Sequence, residues 1–145
     1  MRSFRNLLVA LVLLAPMPLL AEGPSKAVTL YKDPDCGCCA GHVEHLRQNG
    51  YAVTVKPMPN MSLVKRMYGI PDQLASCHTA TIDGYIVEGH VPARVIDKLL
   101  ADRPKIRGIS LPGMPAGSPG MPGPKSEPFT VYSLTDGPPT VYLVD

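Results

Sequence analysis

Charge of one sign is scarce in this 145-residue chain: 14 Lys+Arg stand against 12 Asp+Glu, a formal net charge of +2. Such a balance gives no electrostatic footing for nucleic acid or an anionic membrane, whose binding draws on clustered basic side chains. A long apolar run is lacking as well. The run Leu7-Leu8-Val9-Ala10-Leu11-Val12-Leu13-Leu14-Ala15 falls short of the ~20 residues that a bilayer-spanning helix needs, and Pro16 and Pro18 close it. With Arg2 and Arg5 ahead of it and the small residue Ala21 behind it, the run reads as a signal peptide over residues 1–21, which implies export and a mature chain beginning near Glu22. The Ala21-Glu22 junction has no cysteine for lipid attachment, so no membrane association is expected once the signal is removed.

Cysteine is scarce too, and poorly placed for stapling a fold. Of the four, three fall in Cys36-Gly37-Cys38-Cys39 and the fourth is Cys77. By loop-closure entropy a bridge across the long interval is worth about 4 kcal/mol and one inside the cluster about 2 kcal/mol. A stability design therefore needs one long-range bridge and leaves two thiols over. Chemistry accounts for the clustering better than stability does.

The remaining pattern predicts a single small domain. Residues 28–31 are β-branched and aromatic, and Asp33-Pro34-Asp35 marks a turn after them. Helical periodicity runs from about residue 38 to the stop signal Asn49-Gly50, and residues 51–55 form the next strand candidate. Asn60 can cap a short helix at 61–68 that Gly69-Ile70-Pro71 ends. Residues 78–82 and 85–88 flank Asp83-Gly84, a strong hairpin signal, and Pro92 opens a helix that Arg103-Pro104 stops. The order βαβαββα over residues 22–104 is that of an α/β, thioredoxin-like domain, a small mixed sheet with helices on both faces. Residues 105–128 read as a strap rich in Pro, Gly and Met, with no regular element expected over 111–124 and with a half-repeat, Pro112-Gly113-Met114-Pro115 and Pro119-Gly120-Met121-Pro122. Residues 129–145 read as a C-terminal hairpin packed on the domain.

The cysteine cluster lies between a strand end and a helix start, where free N–H groups and the helix dipole favour thiolate over thiol. Cys36 and Cys39 have the C-x-x-C spacing of thiol–disulfide exchange, with Cys36 as the exposed nucleophile. Cys38 complicates that reading, because a third sulfur offers a competing trap. A thiolate-rich site in an exported chain also points to a soft metal. One tetrahedral Zn²⁺ would require the adjacent Cys38 and Cys39 to converge on a single ion, unlike the usual spaced pairs. Cu(I) accepts low coordination and bridging thiolates, and several Cu⁺ ions bring four thiolates towards neutrality, so more than one Cu(I) ion is expected. Cys77 precedes the third predicted strand, in the loop that faces the C-x-x-C motif in thioredoxin-like folds and normally carries a cis-proline, so it can close the site from the opposite side; with Pro71 as the cis-proline instead, Cys77 is a bystander.

Among softer candidates, His42 lies one turn beyond the helix start and His45 covers a helix face. Strand alternation sends His78 to the face opposite Cys77, and His90 ends the hairpin. Met114 and Met121, in a Gly-Pro frame, offer thioethers suited to Cu(I), whereas Met58, Met61 and Met67 suit the filling of core gaps.

The blocks Tyr31-Lys32-Asp33-Pro34-Asp35-Cys36-Gly37-Cys38-Cys39, Ser76-Cys77-His78-Thr79-Ala80, Asp83-Gly84-Tyr85, Glu88-Gly89-His90-Val91-Pro92 and Pro112-Gly113-Met114-Pro115 occur in that order. On these the chain resembles the CopG-type periplasmic copper-resistance family over roughly residues 27 to 122. The resemblance implies a thioredoxin-like fold, copper on Cys36, Cys38, Cys39 and Cys77, and a role in copper redox handling or detoxification. It includes His78 and His90, and it puts His42 where the family commonly has tryptophan. The function expected is that of an exported protein holding Cu(I) on cysteines and cycling its oxidation state, with copper ions and another periplasmic copper or redox protein as partners. A thiol–disulfide oxidoreductase using Cys36 and Cys39, and a passive copper chaperone using the Met strap, stand as alternatives.

Overall fold

The structure is a computed structural model that describes residues 25–145; the expected signal peptide lies outside the described residues. Its elements are β1 (Ala27–Lys32), α1 (Gly37–Gln48), β2 (Ala52–Pro57), α2 (Met61–Met67), a 3-10 turn (Asp72–Leu74), β3 (Thr79–Ile82), β4 (Tyr85–Glu88), α3 (Ala93–Asp102), β5 (Gly108–Ser110), β6 (Thr130–Leu134) and β7 (Thr140–Val144). Local chemistry explains most boundaries. The Asn60 side chain accepts from Leu63 N–H at 3.2 Å and caps α2. Asp83 (φ 46°) and Gly84 (φ 84°) both take the left-handed conformation that a two-residue hairpin turn between right-twisted strands requires.

The sheet order is β2-β1-β3-β4-β5-β6-β7. β1 pairs parallel with β2 and antiparallel with β3, and β3 with β4 antiparallel. The thioredoxin-like mixed sheet with helices on both faces is as the pattern predicted. Leu30, Ile82 and Val87 pack with Val43 and Leu46 of α1 and Ile96 and Leu99 of α3. Ile86 and Leu134 pack with Ile70 and Leu74, beyond the end of α2. The alternation of Ile86 and Val87 shows the two faces, and β4 is buried along its length.

The segment 105–128, expected as a strap, departs from that reading at its start. Gly108–Ser110 forms β5, parallel to β4 after the α3 crossover and antiparallel to β6. A Cβ on Gly108 would collide with the Ile86 backbone, so its lack of a side chain lets this strand sit against β4. The sheet therefore continues unbroken into the β6–β7 hairpin, and the terminal hairpin extends the sheet. Beyond β5, residues 111–124 contain no helix or strand, only the isolated bridge Ser76↔Gly113.

One consequence of the register matters for function. Tyr31, near the end of β1, lies opposite Thr79, the first residue of β3. The chain leaving β1 towards Cys36 and the chain entering β3 from Cys77 therefore share one end of the sheet. None of the described helices is long and apolar enough to cross a membrane.

Candidate metal centre

The turn after β1 is held from within. Lys32, only 8% exposed, donates its ammonium to the Asp33 and Pro34 carbonyls (2.7 and 3.0 Å), and Cys36 N–H donates to Asp33 O at 3.1 Å. Cys36 is the N-cap of α1, its sulfur accepting from Cys39 N–H at 3.3 Å. All four cysteine sulfurs lie within 4.8 Å of one another: Cys36 Sγ is 3.4 Å from Cys38 Sγ and 3.5 Å from Cys77 Sγ, and Cys38 Sγ is 3.3 Å from Cys77 Sγ. Cys36 and Cys39 are joined in a disulfide, while Cys38 and Cys77 are free thiols. Burial, then the hydrogen bond and charge of Cys38, push the Cys77 thiol up to about 12, with Lys65 pulling the other way. Bound at neutral pH, a metal would displace that proton.

The Cys77 loop is braced by residues that sequence reasoning missed. Glu88, fully buried at the end of β4, accepts from Ser76 N–H (2.7 Å) and the Thr79 hydroxyl (2.6 Å) and forms an ion pair with Lys65. It thereby grips the residues on either side of Cys77-His78. An acid closing the apolar run Tyr85-Ile86-Val87 in a predicted strand was the available signal. Gly89 (φ +80°) allows the close approach that follows, since a Cβ there would meet Ser76 Oγ and the Leu111 carbonyl at 2.5 Å.

Strap residues complete the site's rim. Gly113 N–H donates to the Ala75 carbonyl at 3.1 Å and Ser76 Oγ donates to the Gly113 carbonyl, which brings Met114 Sδ to 3.1 Å from Cys77 Sγ. Met121 is placed differently. It sits in a turn closed by its N–H to the Ser118 carbonyl (2.8 Å), beside Gly120, which lies against α1. The two halves of the repeat thus have different surroundings. The cis-proline expected of the fold has no counterpart, since no peptide bond is cis among the described residues, Pro71 included.

His42, His78 and His90 form a second cluster, each 0% exposed, with ring nitrogens within 4.8 Å of one another. His78 departs from the alternation argument because β3 begins only at Thr79, so His78 is a loop residue free to turn inward. A carbonyl oxygen only accepts, so two tautomers follow from partners: His42 donates Nε2–H to Val91 O (2.9 Å) and His90 donates Nδ1–H to Pro119 O (2.8 Å). His42 Nδ1 must then accept from His78 Nε2–H, at 2.7 Å. His78 Nδ1 and His90 Nε2 are left buried without a partner. Burial holds His42 down to about 3, against the Val91 hydrogen bond, and burial likewise holds His78 well below, and His90 below, the usual imidazole value. All three are neutral lone-pair donors at neutral pH. His45 is separate in role: its Nε2 accepts from Ala93 N–H at 3.1 Å and caps α3, where Pro92 supplies no side-chain cap.

The chain therefore carries one cluster of four cysteines and one of three histidines, both capable of coordinating metal. A family profile described as a protein of unknown function, DUF411, matches residues 74–121, which span Cys77 to Met121. No curated protein matches the chain. Two solved structures do, both of a copper resistance protein, CopG. Form 1 is 42% identical with a TM-score of 0.75, covering 84% of this chain and 98% of its own. Form 2 is 42% identical with a TM-score of 0.77, covering 86% of this chain and 99% of its own. With that identity held over nearly the whole length of the relative, the chain belongs to the CopG-type copper resistance family.

Proposed function

We propose that this is an exported, periplasmic copper-handling protein that holds more than one Cu(I) ion on Cys36, Cys38, Cys39 and Cys77 and cycles copper between its oxidation states. The observation that carries the reading is the meeting of four sulfurs from two distant stretches of chain, with the Met114 thioether at their edge. Thiolate and thioether donors select soft monovalent copper. Kinship to copper resistance proteins supports the same reading.

The Cys36–Cys39 pair supplies the electrons. In the reduced protein, two Cu(II) ions each take one electron as the two thiols lose two protons and form the disulfide, leaving two Cu(I) ions. Regenerating the dithiol takes two electrons and two protons from an external reductant, the role assigned to another periplasmic redox protein, and returning Cu(I) to Cu(II) takes an external electron acceptor. Cys38 and Cys77 remain as thiols when the disulfide is closed, so copper ligands persist in both states.

Anaerobic reconstitution of the reduced protein tests this. More than one copper per chain is expected, falling sharply in Cys38→Ser, and addition of Cu(II) to the metal-free dithiol should release two Cu(I) to a chelator per disulfide formed. One copper or none, or no Cu(I) formed, overturns the reading. The disulfide also fits a thiol–disulfide oxidoreductase, which would reduce insulin without Cys38 and fail without Cys36. A passive chaperone predicts instead that Met114→Ala with Met121→Ala slows copper transfer while the copper count stays unchanged.

A further inference from the structure

We propose that His42, His78 and His90 form a second copper site, made of nitrogen alone, that takes one Cu(I) ion behind the cysteine cluster. The ion's identity rests on the copper reading above; the site itself rests on the histidine geometry. Metal-bound imidazoles characteristically donate their other ring N–H to a backbone carbonyl or carboxylate, which fixes tautomer and ring orientation. Two of these three do so already, His42 to Val91 O and His90 to Pro119 O. That leaves His42 Nδ1 and His90 Nε2 as lone pairs, and His90 Nε2 has no hydrogen-bond partner although it is buried. A hydrogen-bonded structural cluster has no use for that orphaned acceptor or for the second one on His78 Nδ1.

Loading the site needs one proton shift. The proton on His78 Nε2, which now bridges to His42 Nδ1, moves to the vacant Nδ1 of the same ring, and copper takes its place between the rings with no net proton released. Three nitrogens around a metal at about 2 Å stand about 3.5 Å apart in a trigonal arrangement. His42 Nδ1 and His78 Nε2 stand 2.7 Å apart, and one nitrogen from each of the three rings lies within 4.8 Å of the others, so the rings need to move by about an ångström.

The donor set selects the ion. Three neutral ligands in a dry pocket leave the metal charge uncompensated, and the cost of burying it is far smaller for a monovalent than for a divalent ion. Zn²⁺ also calls for a fourth ligand, which with three histidines would have to be a water, since the buried acid Glu88 is committed to Lys65, Ser76 and Thr79, and the three imidazoles are 0% exposed. Access and closure come from the strap. Pro119 holds His90, and Gly120 (φ +86°) lies against α1, where a Cβ would come within 2.5 Å of Cys38 O and His42 N. His42 is what makes the site, because without it only the two imidazoles of His78 and His90 remain.

The experiment separates this site from the sulfur site. The full chain with Cys36, Cys38, Cys39 and Cys77 all changed to Ser is titrated anaerobically with Cu(I) against a chromogenic chelator, with folding checked by circular dichroism. One Cu(I) per chain is expected, with a copper-edge X-ray absorption spectrum showing about three nitrogen neighbours near 2 Å and no sulfur. Adding His42→Phe should weaken binding at least tenfold. Loaded wild-type protein gives a readout that needs no folded variant: a nitrogen shell beside the sulfur shell, lost together with one copper per chain in His42→Trp. Absence of nitrogen neighbours in the wild type, unchanged copper in His42→Phe, or displacement of the bound Cu(I) by equimolar Zn²⁺ overturns the proposal. A wild-type spectrum with nitrogen but no sulfur would uphold this site and sink the cysteine reading instead.

Discussion

Replacing Glu88 tests whether one buried carboxylate sets the position of Cys77. Glu88→Ala strips the acceptor from Ser76 N–H and the Thr79 hydroxyl and leaves the Lys65 ammonium, whose side chain is 17% exposed, facing an empty space. Breaking a buried ion pair by removing one partner costs about 3–5 kcal/mol, and the partial exposure of Lys65 puts the expected loss near the lower end, about 3 kcal/mol. That is a large share of the roughly 5–15 kcal/mol available to a domain. With a urea m-value of about 2 kcal/mol/M, the unfolding midpoint should fall by about 1.5 M. The double variant Glu88→Ala with Lys65→Met removes the stranded charge as well, and should recover about 1–2 kcal/mol relative to Glu88→Ala alone. Because the lost contacts flank Cys77-His78, copper stoichiometry should drop in Glu88→Ala under conditions where the protein is still folded. A midpoint shift below about 0.3 M, or a double variant less stable than Glu88→Ala, would refute the idea that Glu88 braces the loop.

Gly120→Ala should destabilise the protein by about 2 kcal/mol or more, through a left-handed backbone and a Cβ pressed on the α1 backbone, and should open the strap to proteolysis; Gly137→Ala, whose Cβ would meet only Thr135 Oγ1 at 3.9 Å, serves as the neutral control in the same melts. Burial pushes the Asp97 carboxyl up, but hydrogen bonds from Tyr51 (2.7 Å) and Lys26 (3.0 Å) hold it below its usual value. A depressed carboxylate contributes stability above its unfolded pKa of about 3.9 and loses it as the pH falls through the folded value, so Tyr51→Phe should cost about 1 kcal/mol at pH 7 and flatten the loss of stability below about pH 4. Equal acid limbs for the two proteins would remove that pair from the account. Met114→Ala should leave the melting temperature nearly unchanged, since the side chain is 53% exposed, while speeding Cu(I) release to a chelator; an unchanged release rate would exclude the thioether as a ligand.

Much of the architecture was readable one segment at a time. Runs of β-branched and aromatic residues marked β1, β3 and β4, Asp83-Gly84 specified the β3–β4 hairpin, and Asn60 and Asn49-Gly50 marked helix ends, because each such signal depends on residues within a turn of one another. The β5 strand escaped because three residues, Gly108–Ser110, carry too short a pattern; they become a strand by fitting between β4 and β6. The three grouped cysteines announced soft-metal or redox chemistry by composition alone.

Whether Cys77 belongs with them was not a local property. It follows from the antiparallel β1–β3 register, which brings the exit of one strand beside the entry of the other. The same holds for Met114, whose thioether meets Cys77 through the Ser76–Gly113 bridge, a contact that its local repeat does not announce. His78 looked misdirected by alternation until the strand was found to start one residue later, and His42 gained its meaning from two imidazoles supplied by other segments. Amino-acid order by itself determined which groups were available and which short elements formed. Tertiary packing decided which of those groups met, since contact between residues dozens of positions apart depends on register, crossing and burial that no window of sequence contains.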